Sequence, residues 1–404
     1  MRVALITSEF VTESVFDGGL ANYIFRVAKA LIQLNHIPVV FVSSVKNETF
    51  YYEGIRVERV LIWKDYPWGH KNKLLDKFDK VLNYKYNMVF SLLWQSYKLN
   101  RKLWRINKIE KFDIVQYSHL GGVGLFKPFS YKAVARISSS TKLCYEAGGY
   151  GDSAFQIQQQ EYIEKIALKR MKGIFGPSIK IAKYVQSMIN KKIEVIESPF
   201  FMDVSVYDFE KYNELLKDRK YILFFGTLSY IKGVHVIAEI IHDFLSKYPS
   251  NYFVFIGKQS FYKKNRTFSE LINEKSFDCR GRVIFIESLK HELLYPIIEK
   301  AQFVVLPSIV DNFPNTCIEA MAHKKIVIGT IGNGFEQLID NGESGFLVQP
   351  GNAEELSITI DKIMELTNEQ KQSIGENAKT RIEKLKPEIV VNELIEFYEK
   401  IIRD

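Results

Sequence analysis

Short uninterrupted apolar runs alternate along this chain with longer segments whose apolar positions recur every three or four residues. The runs at 3–7, 38–43, 113–117, 132–137 and 193–196 read as strands buried on both faces, the pattern of a parallel sheet. Between the first two, Leu20, Tyr23, Ile24, Val27, Ala28 and Leu31 share one face of a helix. Within residues 44–62, positions 51–57 alternate with period two, which predicts a small antiparallel excursion. After a stretch at 199–218, the rhythm starts again with runs at 221–225, 252–256, 282–286, 302–306 and 325–329. A strand–helix alternation that runs its course twice predicts an α/β protein of two doubly wound, Rossmann-like domains. Their expected bounds are 1–200 and 201–385. A last helix follows at 386–404, with Val391, Leu394, Ile395 and Tyr398 on one side. At 404 residues the chain is too long for one ordinary core, which agrees with two domains.

Composition changes this picture in one place. Apolar content of 47% and charged content of 25% are those of a soluble globular protein, and no segment offers the apolar length of a membrane span. Residues 1–7 read as a first strand rather than a signal peptide, so a cytoplasmic location is expected. Cys144, Cys279 and Cys317 are widely spaced and suggest neither a disulfide framework nor a zinc site. The net charge of +8, however, is concentrated between residues 64 and 111. That stretch holds twelve Lys/Arg against four Asp/Glu, and the remaining 43 of each sign cancel. All four tryptophans, Trp63, Trp68, Trp94 and Trp104, lie in or beside it. From Val89 to Ile106 a helix is expected with an apolar side, while Lys98, Arg101, Lys102 and Arg105 share the opposite face. Two readings stand. One is a docking surface for the anionic inner face of a membrane; the other is a solvated basic side with the tryptophans in the core. No nucleic-acid module is recognisable.

The chemistry is expected where ligands bind in such sheets, beyond the carboxyl ends of the strands. Strand 302–306 ends in Pro307-Ser308-Ile309-Val310-Asp311-Asn312-Phe313-Pro314-Asn315-Thr316, and a helix starts there whose free amides favour phosphate. Asp311 and Glu319 flank seven residues, so both carboxylates are placed to hydrogen-bond a polyol over the helix tip. Lys232 and Gly233 close the loop after strand 221–225. Gly18 and Gly19 precede the first helix, where a missing Cβ admits a ligand to the backbone, and His119 ends strand 113–117 beside further glycines.

Asp311 to Ala322, with its two carboxylates before Ala-Met-Ala, resembles the acidic motif of the retaining glycosyltransferases of family 4, which have the GT-B fold. The usual first acid is Glu; here it is Asp311. The loop 226–233 is similar to the family's Gly-Arg-x-x-x-x-Lys-Gly, with Thr227 in place of the Arg. The resemblance implies domains facing across a cleft and a last helix that crosses back to the first. It implies that Lys232 and the loop Phe313, Pro314, Asn315 and Thr316 hold the donor diphosphate, Glu319 the ribose and Asp311 the sugar. Gly18 and Gly19 would lie against the donor phosphates and the acceptor, His119 would contact the transferred sugar, and Arg136 would stand near the acceptor. Lys258 or a residue of the other domain would compensate for Thr227. The implied activity is transfer of a hexosyl unit from a UDP- or GDP-linked sugar to a glycan or lipid-linked acceptor in cell-surface polysaccharide synthesis, with no metal and no cofactor. A nucleotide-sugar epimerase or a phosphorylase of the same fold is the alternative. A non-catalytic binding module is a further one, against which Lys232 and Glu319 argue.

Overall fold

The computed structural model describes residues 1–13, 19–62, 86–148, 153–202, 206–263 and 265–404. Gly18, Trp63 and residues 64–85 of the basic stretch, Trp68 among them, lie outside the described residues. The chain forms two compact units. One comprises Met1–Lys142, Gly151–Pro199 and Leu385–Asp404; the other comprises Leu143–Tyr150 and Phe200–Lys384.

The first unit is built on one sheet. Its strands are β1 (Arg2–Thr7), β2 (Ile37–Ser44), β3 (Glu48–Tyr52), β4 (Ile55–Leu61), β5 (Ile114–Ser118), β6 (Ala133–Arg136), β7 (Gly173–Gly176) and β8 (Glu194–Val195). They lie in the order β3-β4-β2-β1-β5-β6-β7-β8. Every pair is parallel except β3 with β4. The expected excursion is thus a hairpin, turned at Glu53 and Gly54, both with positive φ. Its second strand joins the main sheet, parallel to β2. Because the sheet grows in opposite directions from β1 and β5, a crevice opens beyond their carboxyl ends. Helix α1 (Gly19–Gln33) starts there and buries Leu20, Tyr23, Ile24, Val27, Ala28 and Leu31.

Helix α2 (Asn87–Asn107) corrects one expectation. Lys102 does not join a solvated basic face, because its Nζ lies 3.0 Å from the fully buried carboxylate of Glu58. An isolated carboxylate in β4 is costly, and Arg56 at 2.7 Å and Thr49 Oγ1 at 2.7 Å complete its shell. Trp94 also turns inward, its Nε1–H donating to Ile62 O at 3.3 Å. The first unit further contains α3 (Ala154–Lys169), opened by a reciprocal cap between Ser153 and Gln156.

The second unit repeats the principle with a simpler order. Its strands are β9 (Lys220–Phe225), β10 (Asn251–Ile256), the hairpin β11 (Phe261–Lys263) and β12 (Arg266–Thr267), β13 (Val283–Ile286), β14 (Val304–Val305), β15 (Val327–Thr330) and β16 (Phe346–Val348). The main sheet runs β13-β10-β9-β14-β15-β16, all parallel, so the order reverses between β9 and β14. Its aromatic interior stacks Phe253 on Phe255 at 4.9 Å and Phe255 on Phe285 at 5.3 Å. The hairpin was not legible as strands, since it is two or three residues long on each side. Helices α4 (Val234–Lys247), α5 (Asn315–Ala322) and α6 (Asn368–Glu383) belong to this unit. The last helix, α7 (Pro387–Arg403), is part of the first unit, where Tyr398 Oη donates to Gln116 Oε1 of β5 at 2.5 Å. Pro387 opens this helix at a position where no amide donor is missed.

Gly375 in α6 supplies a test in which two effects have opposite signs. Helix propensity alone makes Gly375→Ala stabilising by about 1 kcal/mol. A Cβ there, however, would stand 2.2 Å from the backbone carbonyl oxygen of Lys324. We expect the variant to be destabilised by about 1–3 kcal/mol, read as a lower denaturant midpoint of the second unit. A raised midpoint would show that α6 does not pack as closely as described.

Candidate active site

In the second unit, the reversal between β9 and β14 brings two loops together. After β9 the chain passes Gly226 and ends its loop at Gly233, which adopts φ +70° and caps α4. A Cβ on Gly233 would stand 1.8 Å from the carbonyl oxygen of Pro307, so only glycine permits this approach. Ile309 N–H donates to Ile231 O at 2.7 Å across the same seam. On that foundation Lys232 Nζ meets Asp311 Oδ2 at 2.5 Å. The Asp311 side chain is 12% exposed and that of Lys232 34%, so the pair sits at the rim of the loops rather than in free solvent. An ammonium has three donors, so two remain for another acceptor.

Asp311 is itself braced. Its amide donates to Asn333 Oδ1 at 3.2 Å, and its carbonyl accepts from Gly334 N–H at 2.8 Å. Buried Asn333 spans from there to the carbonyls of Ser308 and Ile309, both at 3.2 Å, and to Thr330 Oγ1 at 2.8 Å. Residues 312–314 then lead into α5, whose cap, Pro314, offers no side chain to the first amides. The start of α5, at Asn315 and Thr316, is half-buried, and no side chain of the cap residue takes its first amides. Glu319 is 7% exposed, with Oε1 3.9 Å from His291 Nε2. Thr227 is exposed, and the residue after it is tied to the neighbouring loop by Leu228 N–H on Lys258 O at 2.8 Å. The side chain of Lys258 is exposed.

In the first unit, His119 follows β5 and is 5% exposed. Ser138 N–H donates to its Nδ1 at 3.1 Å, which leaves Nε2 as the protonated nitrogen of a neutral ring. Burial pushes the imidazole down from the usual 6.5 to about 4. Arg136, at the end of β6, is also buried. Its Nη1 donates to Ser138 Oγ at 2.8 Å, its Nη2 to Ser198 Oγ at 2.9 Å, and its guanidinium lies 3.6 Å from the centre of the Tyr23 ring. Arg136 therefore steadies the residue that orients His119. Gly19 is exposed at the first position of α1.

Glu164 of α3 carries chemistry that the sequence did not single out. It shares a cavity of about 20 Å³, room for one water, with His119, Ser139, Ser140, Lys142, Glu161 and Lys165. Its Oε1 accepts from Gly121 N–H at 2.9 Å and from Gln160 Nε2 at 2.8 Å, so it holds the left-handed turn after His119. Burial, with neighbouring Glu161, pushes its carboxyl up to about 7 against stabilising bonds from Gln160 and Gly121.

Residues 208–381 match the family model described as "Glycosyl transferases group 1". An uncharacterized glycosyltransferase of Methanocaldococcus jannaschii is 23% identical over 382 residues, 90% of this chain and 89% of that one. Among solved structures, sucrose-phosphate synthase from Thermosynechococcus elongatus covers 100% of this chain and 99% of its own, at 17% identity and a TM-score of 0.77. The Anabaena protein HepE in complex with UDP-glucose covers 99% of this chain and 100% of its own, at 16% identity and a TM-score of 0.69. The chain thus has the two-domain α/β GT-B fold with parallel sheets. Its residues 208–381 carry a glycosyl transferases group 1 domain.

One buried base and one buried acid of the first unit predict a pH effect. His119 binds fewer protons folded than unfolded, so its contribution is present above 6.5 and is lost as pH falls towards 4. Glu164 has the opposite sign: its contribution is full below 4.5 and is lost as pH rises through 7. Glu164→Gln removes only the second. Relative to the unaltered protein, the variant should therefore gain roughly 2 kcal/mol of stability between pH 5 and pH 8. Denaturant unfolding at the two pH values measures this, and an unchanged difference would mean that Glu164 does not titrate in that range.

Proposed function

We propose that the protein transfers a hexosyl unit, with retention of anomeric configuration, from a nucleotide-sugar to a glycan or lipid-linked acceptor in polysaccharide assembly. The observation that carries this reading is the Lys232–Asp311 pair at 2.5 Å, set between two glycine-seamed loops and beside the start of α5 at the strand-order reversal. Charge develops on the leaving diphosphate, and a preorganised ammonium with helix-start amides stabilises it without reorganisation. Asp311 orients Lys232 and accepts from sugar hydroxyls. Glu319, a buried carboxylate on α5, accepts from the ribose hydroxyls. Thr227 offers a hydroxyl where a second cation would otherwise help. On the acceptor side, neutral His119 donates from Nε2 to the transferred sugar, with Gly18 and Gly19 against the ligand backbone and Arg136 acting through Ser138. The acceptor attacks on the face the diphosphate leaves, and no general base is assigned. UDP-linked sugars are the first donors to test, because a protein of the same fold was solved with UDP-glucose.

A membrane-facing acceptor is supported by exposed rings and cations on the first unit. Among the described residues no helix is long and apolar enough to cross a membrane, so attachment would be peripheral. Trp104 is 45% and Phe129 85% exposed. Lys108 Nζ lies 3.6 Å from the Trp104 ring centre, and the Arg170 guanidinium 4.4 Å from that of Phe129. Cations over exposed rings are the combination that an anionic lipid interface accepts.

Lys232→Ala should lower kcat/KM for transfer by about 30- to 1000-fold, the equivalent of about 2–4 kcal/mol. Radiolabelled UDP- and GDP-sugars, assayed in excess chelator, give the measurement. Unaltered turnover in the variant would refute the diphosphate role of Lys232, and loss of transfer in chelator that Mg²⁺ restores would refute a metal-free reaction. For the docking surface, the protein should sediment with anionic vesicles at low salt and be released at high salt. Arg101→Glu combined with Arg105→Glu should weaken that binding by about tenfold or more, at about 1 kcal/mol per basic residue. A protein that stays in the supernatant at low salt has no such surface.

A further inference from the structure

The sheet of the second unit has a second edge, at the amino ends of its strands, away from the loops described above. There, the 3-10 turn Phe277–Arg282 feeds into β13, and the later half of α4 returns alongside it. Three metal-ligating side chains converge at this place: His242 from α4, and Asp278 and Cys279 from the turn.

Their spacing is that of a tetrahedral site. His242 Nε2 lies 3.3 Å from Asp278 Oδ1, and Cys279 Sγ lies 3.6 Å from the same oxygen. All three donor atoms fall within 4.8 Å of one another. Zinc bonds of about 2.0–2.1 Å to N and O and about 2.3 Å to S set tetrahedral edges of about 3.4 Å for N–O and about 3.6 Å for O–S. Two of the three edges are already at those lengths. The other side of the ring is occupied by a carboxylate, with His242 Nδ1 3.2 Å from Asp243 Oδ1. When an ion occupies the site, that carboxylate can take the proton on Nδ1 and leave the Nε2 lone pair for the ion, as in carboxylate–histidine–zinc arrangements. Ser246 Oγ lies 3.8 Å from the sulfur, and Arg282 Nη2 donates to it at 3.4 Å, a contact that also favours the thiolate.

We propose that His242, Asp278 and Cys279 bind a zinc-like divalent cation, with Asp243 behind the histidine and water in the fourth position. The mixed N, O and S set suits Zn²⁺ or Co²⁺ and not the oxygen-seeking Mg²⁺ or Ca²⁺. The thiol releases its proton to solvent as the metal binds, so a +2 ion meets one thiolate and one carboxylate and the inner set is neutral. The ion ties the end of α4 to the turn before β13. Its role is structural, apart from transfer chemistry.

Titration of the untagged full-length chain with Co²⁺ tests this. One Co²⁺ per chain should bind and produce a thiolate-to-cobalt charge-transfer band that Zn²⁺ displaces. Cys279→Ser should abolish the band and Cys144→Ser should leave it. His242→Ala should weaken binding at least tenfold, and Asp243→Ala by about tenfold. Zn²⁺ should raise the thermal midpoint of the unaltered protein and not that of His242→Ala. No band, or a band that survives Cys279→Ser, overturns the proposal.

Discussion

The close backbone contact between the loops after β9 and β14 is the constraint on which the candidate site rests. Gly233 cannot be any other residue while Pro307 stands where it does, and neither Lys232 nor Asp311 has a reason to meet the other unless that seam closes. Asn333 then links the second loop to β15, so three strand ends are joined by backbone and amide bonds before any charge is counted. A second glycine seam lies beside the first: a Cβ on Gly257 would stand 2.0 Å from Gly226 O. Loops that touch through backbone rather than through long side chains have little freedom to drift, which is the condition electrostatic preorganisation needs.

The first unit positions its polar groups differently. There the ordering comes from burial: His119, Arg136 and Glu164 are almost fully enclosed, and each is held by hydrogen bonds to residues that immediately follow or precede a strand end. Burial drives the histidine and the carboxyl in opposite senses, and both favour neutral forms near the middle of the pH range. A neutral imidazole with Nδ1 occupied is a defined donor, and its direction is set by the chain.

Much of the fold was legible because parallel strands buried on both faces leave uninterrupted apolar runs, as at 3–7, 221–225 and 252–256. A reversal of strand order follows from the doubly wound reading, but where it falls was not legible, since that depends on which strands pair, and pairing leaves no trace in a single run. Lys232 and Asp311 were each visible as loop residues, yet their contact spans 79 positions and rests on Gly233. Glu164 is one more polar residue in the Gln- and Glu-rich α3, and the amide that holds its carboxylate belongs to Gly121, 43 residues earlier. Lys102 was misread for the same reason, because the carboxylate that captures it belongs to β4. The Cys279 cluster escaped notice because its histidine lies on a helix 37 positions away, not at a metal-motif spacing.

Helix α7 has a consequence for how the protein is made. The hydroxyl of Tyr398 reaches Gln116 in the middle of the first sheet, across 282 positions. A chain emerging from the ribosome therefore presents the strands of its first unit long before it can supply the helix that covers them. The second unit, almost wholly contained between Phe200 and Lys384, has nearly all of its own elements in hand first. Synthesis order and completion order are thus reversed for these two units: the first cannot close before the second has been made, and its β5–β6 surface stays open until α7 is available. Any truncation that removes α7 leaves the Gln116 end of that contact without its partner hydroxyl.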